Sequence, residues 1–151
     1  MTQSPLLAVH PPAATVTLAG WTVAEHYGEP AAEVAAVHRD AGLIDRSVRG
    51  RLAVTGADRR EWLNRIVSQD TATLAPGAWR RALLLTVKGR IAADLRVFAT
   101  ADRLLLDTAF DAGEGLVRNL QSFVLYGDGV TVEDVASMGK PRSARTAARR
   151  R

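Results

Sequence analysis

Side chains that could act as metal ligands or covalent nucleophiles are few and scattered in this sequence. The three histidines, His10, His26 and His38, have no histidine partner four residues away and no HExxH context, so their spacing does not predict a metal site. Neither Ser47 nor Ser68 stands in a Gly-x-Ser-x-Gly setting, which argues against a nucleophile elbow. Zero cysteines exclude thiol catalysis, disulfides and Cys-ligated metals in this chain. We therefore expect no metal.

A more promising set of charged residues lies on a segment with strand periodicity. Over residues 91–99, apolar side chains alternate with Asp94, Arg96 and Phe98, so these three share one face of the predicted strand. Lone charges on a strand face are usually solvated. The residues alone therefore leave two interpretations open, in which Asp94 either lines a pocket or faces water.

The hydrophobic pattern predicts the elements that must position this strand. Strands are predicted over residues 51–55, 80–87, 91–99, 103–108 and 130–135, and helices over 30–41, 58–69 and 112–126. Asp58 with Glu61, and Asp111 with Glu114, resemble capping boxes at the starts of the last two helices. The order predicts an α+β fold, a mainly antiparallel sheet with two helices on one face, containing a split βαβ, ferredoxin-like element. The core is predicted to include Leu83, Leu85, Ile91, Leu95, Val97, Leu104 and Leu106.

Composition and charge distribution indicate one folded domain with two different ends. The 151 residues are 47% hydrophobic and 24% charged, which is typical of a globular protein. Residues 1–17 contain three prolines and no periodicity, so we expect a loosely ordered segment there, followed by the domain over 18–136. Six positive charges fall in residues 140–151, and the chain's +4 less these six leaves −2 for residues 1–139. We expect a disordered basic tail over 137–151 and no nucleic-acid partner.

The sequence contains neither a long apolar run nor a basic region followed by an apolar core at its start. We therefore expect no membrane association and a cytoplasmic protein.

Short motifs spread over residues 18–136 carry a family resemblance. They are Gly20-Trp21, His26-Tyr27-Gly28, Asp40-Ala41-Gly42-Leu43-Ile44-Asp45, Ser47, Arg51-Leu52-Ala53-Val54-Thr55-Gly56, Trp62-Leu63, Ser68-Gln69-Asp70, Leu74-Ala75-Pro76-Gly77, Lys88-Gly89-Arg90, Asp94-Leu95-Arg96-Val97-Phe98 and Val130-Thr131-Val132-Glu133-Asp134. In this order they resemble the N-terminal part of the glycine-cleavage T-protein, the tetrahydrofolate-dependent aminomethyltransferase. The second half is also similar to the YgfZ-type folate-binding branch of that superfamily.

The resemblance implies a tetrahydrofolate site and assigns residues to it. It implies that Asp94 is the catalytic carboxylate and that Ser47, Val48, Arg49, Asp94 and Arg96 bind the folate. Two departures stand out: Ala93 replaces the first member of the family's acidic pair, and Val48 and Arg49 replace its usual His and Met. Because loss of a charge-positioning group usually lowers a rate by orders of magnitude, we expect little transferase activity.

The resemblance also implies a second lobe that closes the folate cavity, because family members continue well beyond this length. We therefore expect a truncated product, a frameshifted end or a compact relative. Three functions stay open: a folate-binding domain with little transferase activity, an aminomethyltransferase subunit completed by a second chain, and an interaction module without ligand. The second lobe would come from another subunit, or a homodimer would cover the open half-site. The YgfZ branch implies support of iron–sulfur protein maturation instead of aminomethyl transfer.

Overall fold

A computed structural model describes residues 2–18, 20–109 and 113–136 of the chain, with the side chains of 113 and 114 left out. It contains eight strands and four helices within these residues. The strands are β1 (Thr2–Gln3), β2 (Ala14–Leu18), β3 (Trp21–His26), β4 (Gly50–Thr55), β5 (Trp79–Leu85), β6 (Ile91–Ala99), β7 (Arg103–Thr108) and β8 (Thr131–Asp134). The helices are α1 (Leu6–Val9), α2 (Pro30–Arg39), α3 (Arg59–Asn64) and α4 (Gly113–Gln121).

The main sheet has five strands in the order β5-β6-β7-β4-β8, and every neighbouring pair is antiparallel. This order makes β7 and β8 parallel to each other, with β4 between them, and α4 connects the two. The β7-α4-β8 unit is therefore the split βαβ element that the sequence predicted. The tight turn at Lys88-Gly89 joins β5 to β6, and Gly89 takes φ +73°, a conformation that favours glycine.

Helices α3 and α4 both pack on one face of the main sheet, as predicted. Trp62 and Leu63 of α3 share a buried cluster with Leu116 and Leu120 of α4. The sheet contributes residues that alternate along its strands, which are Leu52, Val54, Ala82, Leu84, Ala93, Leu95, Val97, Ala99, Leu104, Leu106 and Val132. The mixed α+β, antiparallel architecture is confirmed.

The predicted phase of β5 is wrong. Ala82 and Leu84 face the core, whereas Leu83 is half-buried and Leu85 is 41% exposed. Ile91 is also exposed, at the start of β6. Burial still alternates along β5, but in the opposite phase, because Leu84 pairs with the core residue Ala93 and Leu83 pairs with the exposed Asp94.

Helix α3 is shorter than predicted and begins differently. It ends at Asn64, because Val67 joins β5 through a bridge to Leu84 and Ser68 donates its amide hydrogen to the Leu83 carbonyl at 2.9 Å. Asp58 occupies the N-cap but makes no side-chain cap hydrogen bond. Its Oδ2 accepts instead from the amide of Gly129 at 3.3 Å, so the expected capping box is wrong. Asp111 lies outside the described residues.

The beginning of the chain forms a second, three-stranded sheet in the order β1-β3-β2. We expected residues 1–17 to be loosely ordered, but residues 2–18 build β1, α1 and β2. The prolines fit because Pro5 is the N-cap of α1 and Pro11 and Pro12 fall between α1 and β2, where they remove no ladder hydrogen bond. The predicted basic tail, 137–151, lies outside the described residues. None of the helices in the described part of the chain is long and apolar enough to cross a membrane.

Candidate functional site

The candidate site lies on the face of the main sheet opposite α3 and α4. Strand β6 alternates strictly from Ala93 onward, so Asp94, Arg96 and Phe98 are exposed while Ala93, Leu95 and Val97 enter the core. We call this second face, which is exposed along β6, the open face. Asp94, Arg96 and Phe98 therefore share one exposed face, as the alternation of residues 91–99 predicts.

Asp94 is held by an arginine from the neighbouring strand. The Arg81 Nε donates to Asp94 Oδ1 at 2.9 Å, and Arg81 Nη2 donates to Oδ2 at 2.5 Å. These hydrogen bonds, with the positive charges of Arg81, Arg96 and Arg49, outweigh desolvation and hold the pKa of Asp94 below its ordinary value. Asp94 is consequently ionised at neutral pH. Its side chain is 48% exposed.

A second ion pair lies on the same face. Arg49, in the loop just before β4, donates its Nε to both carboxylate oxygens of Asp107 at 2.7 and 2.9 Å. Both side chains are about one-fifth exposed. The hydrogen bond to Asp107 and the charges of Asp107 and Asp94 raise the pKa of Arg49 against the effect of burial. Asp107 also lies opposite Arg96 on β6 and Arg51 on β4 in the sheet register, so one carboxylate stands among three arginines.

The loop before β4 places its other predicted residues differently. Ser47 donates its amide hydrogen to Asp45 Oδ1 at 2.9 Å, and its hydroxyl accepts from the Ser4 hydroxyl at 3.2 Å. Ser47 also lines a shallow cleft of about 350 Å³ beside α1. Val48 is half-buried. The structure thus places Arg49 and Arg96 close enough to Asp94 for their charges to lower its pKa, although neither is its ion-pair partner. The hydrogen bonds of Ser47 lead instead to Asp45 and to the N-terminal segment.

Apolar side chains continue the open face beside the charges. Trp79 on β5 stacks on Phe98 with ring centroids 6.0 Å apart, and the two are 56% and 37% exposed. Leu105 on β7 lies opposite Phe98 in the register and is half-buried. A flat aromatic ligand with polar edges fits a surface of this composition.

Sequence reasoning missed three members of this face. Arg81, Asp107 and Trp79 lie on strands other than β6, and only the strand register brings them to Asp94, Arg96 and Phe98. The alternation of β7 did indicate the face of Asp107. Leu104 and Leu106 point to the core, so Leu105 and Asp107 lie on the opposite face. Among the described residues, no group of three or more His, Asp or Glu side chains could hold a metal ion.

Comparison with known proteins decides the family. Residues 8–139 match the family model described as the GCVT N-terminal domain. This chain belongs to the GCVT N-terminal domain family. An aminomethyltransferase from Chromobacterium violaceum is 36% identical over 104 residues, which are 66% of this chain and 28% of that protein. One from Methylococcus capsulatus is 39% identical over 85 residues, 56% of this chain and 24% of that protein.

A solved structure supports the same assignment to the GCVT N-terminal domain. The glycine cleavage system aminomethyltransferase T from Bartonella henselae matches 89% of this chain and 38% of its own, with a TM-score of 0.74 and 26% sequence identity. This chain therefore spans about a quarter of the length of these aminomethyltransferases and less than two-fifths of that solved chain.

Proposed function

We propose that this protein binds tetrahydrofolate on the open face of its main sheet, as one half of a folate site of the aminomethyltransferase type. The observation that carries the proposal is that Asp94 and Arg96 lie on the open face, with the charge of Arg49 close enough to lower the pKa of Asp94. The family resemblance of the sequence implies folate contacts for the same three residues. The aminomethyltransferase relatives support that branch over iron–sulfur protein maturation.

The chemistry of the open face suits a reduced pterin. Ionised Asp94 accepts hydrogen bonds from ring N–H groups, and the guanidinium of Arg96 offers donors for carbonyl or carboxylate oxygens. Trp79 and Phe98 provide flat apolar surface beside these charges. Ring recognition at such a site combines stacking with a small number of placed polar groups.

Binding by this chain should be weak, because the open face covers only one side of a ligand. Much of the folate surface would remain in water, so we expect a Kd on the order of 0.1–1 mM against about 1 μM for a closed site. That difference corresponds to about 3–4 kcal/mol. Ala93, at the first position of the family's acidic pair, is buried on the core face of β6, so its lack of a carboxylate removes no charge from the open face.

Isothermal titration with tetrahydrofolate tests the proposal. We expect millimolar or sub-millimolar binding to the unmodified chain and a weaker signal for Asp94→Asn. The matched control is Asp102→Asn, an exposed carboxylate paired with Arg103 in the β6–β7 turn, which should bind like the parent. Absence of binding to the parent, or equal binding by both variants and the parent, would overturn the proposed site.

A second candidate is an aminomethyltransferase subunit completed by another polypeptide. The observation that favours it is that the matched relatives are three to four times longer than the part this chain covers. Transfer activity that appears only when a second polypeptide is added, together with micromolar folate binding, would support this candidate. A homodimer would answer the same need by covering the open face with a second copy.

A further inference from the structure

Asp94 is oriented from one side only. In the β5–β6 register Asp94 lies opposite Leu83, and Arg81 lies opposite Arg96, so Arg81 reaches its carboxylate diagonally across the strand pair. Arg96, two residues along the same strand, makes no ion pair among the described residues. The hydrogen bonds that fix the Asp94 carboxylate thus come from Arg81.

The contact between them is side-on, with two guanidinium nitrogens each donating to a different carboxylate oxygen. This fork geometry fixes the plane of the carboxylate as well as its charge. Each oxygen keeps lone-pair capacity for a further donor, but neither carries a proton to give. A group held this way can accept hydrogen bonds from a ligand and cannot serve as its general acid.

We propose that Arg81 is a positioning residue that holds Asp94 as an oriented, ionised acceptor, so that the site takes a ligand presenting an N–H donor or a cationic nitrogen at Asp94. The ligand part of this inference rests on the proposed folate function. Arg81 itself need not touch the ligand.

The pair has little to do with folding. Arg81 and Asp94 are 70% and 48% exposed, and exposed ion pairs contribute little to stability. Removing Arg81 should therefore raise the pKa of Asp94 while leaving the unfolding temperature nearly unchanged. If Arg81 had only a structural role, its removal would lower the unfolding temperature and leave the pKa of Asp94 unchanged.

The variant Arg81→Met tests the inference, because methionine keeps the apolar stem and loses both donors. The control is Arg103→Met, which removes another exposed arginine that donates its Nε at 2.9 Å and its Nη2 at 2.5 Å to a neighbouring aspartate, Asp102. The first readout is an NMR titration of the Asp94 side-chain carboxyl carbon. We expect its pKa to rise in Arg81→Met and to stay unchanged in Arg103→Met.

The second readout is calorimetric titration with tetrahydrofolate. We expect Arg81→Met to bind about three- to tenfold more weakly than the parent, Arg81→Lys to fall between them, and Arg103→Met to match the parent. An unchanged Asp94 titration in Arg81→Met would overturn the inference outright. A shifted titration with parental affinity would overturn the positioning role.

Failure of the proposed function gives a different pattern. If the parent chain does not bind tetrahydrofolate, the folate site is wrong, and the Arg81 assignment is decided by the Asp94 titration alone.

Discussion

Gly56→Ala should destabilise this fold far more than the same change at Gly77. Gly56 directly follows β4 with φ +108°, and a Cβ placed there would lie 1.7 Å from the Gly129 carbonyl oxygen and 2.7 Å from its carbon. The turn after β4 therefore packs directly on the backbone that leads into β8. Gly77 also has a positive φ, +86°, but a Cβ there meets nothing within 4 Å. The two glycines share the conformational demand and differ in the steric one.

The size of the effect follows from these contacts. Positive φ strains alanine by about 1–2 kcal/mol at either position. At Gly56 the Gly129 backbone must also move by more than an ångström. That movement breaks the hydrogen bond from the Gly129 amide to Asp58 and disturbs the Thr55–Thr131 end of the β4–β8 ladder. With about 0.5–1.5 kcal/mol for each of these two hydrogen bonds, we expect a loss of about 2–5 kcal/mol for Gly56→Ala and about 1–2 kcal/mol for Gly77→Ala.

Urea and thermal denaturation measure both variants. At about 2–4 °C per kcal/mol for a chain of this size, the unfolding temperature should fall by about 4–20 °C for Gly56→Ala and by about 2–8 °C for Gly77→Ala. Equal losses of free energy of unfolding in the two variants would show that the turn after β4 does not contact Gly129. The placement of β8 against β4 would then need revision.

Three further predictions concern the core, the half-buried Arg49–Asp107 ion pair and acid stability. Leu95→Ala should lower the free energy of unfolding by about 2–5 kcal/mol in urea titrations, because Leu95 is fully buried. Asp107→Asn should lower the free energy of unfolding by about 1–3 kcal/mol, because it leaves Arg49 without its partner. A double-mutant cycle with Arg49→Met should show a stabilising coupling energy between the two side chains. Hydrogen bonds from Arg103 and Thr100 lower the pKa of Asp102 to about 2, so its contribution to stability is present above its ordinary pKa of 3.8 and lost as pH falls toward 2. Asp102→Asn should remove this part of the pH dependence, and urea titrations repeated from pH 5 to pH 2 measure it.

The strand that carries the site was predictable because its signal is local. Along β6 the side-chain period of two is unbroken from Ala93 to Ala99, so the sequence predicts both its core face and its exposed face. The same rule cannot assign a face to Leu83, Leu84 and Leu85, since three identical residues in a row show no alternation of polar and apolar side chains. Only the pairing of Leu83 with Asp94 and of Leu84 with Ala93 across the sheet determines which leucine is buried.

The partners of the site residues could not be predicted for a related reason. Asp58 is followed by Glu61 at the spacing of a capping box, yet its carboxylate accepts a hydrogen bond from the amide of Gly129, 71 residues away. Arg81 and Arg49 likewise find their aspartates at separations of 13 and 58 residues. Such contacts depend on strand order and register, which periodicity along a single strand does not determine.

Stability and binding should separate along a single strand, and neighbouring positions of β6 allow that to be measured. Leu95 lies between Asp94 and Arg96 in sequence but on the opposite face of the sheet, in contact with the core under α3 and α4. Leu95→Ala should therefore lower stability strongly while the surviving folded molecules keep their affinity for tetrahydrofolate. Asp94→Asn should do the reverse. If both changes lowered stability and affinity together, the open face would not be an independent surface, and the division of this sheet into a packing face and a binding face would be wrong.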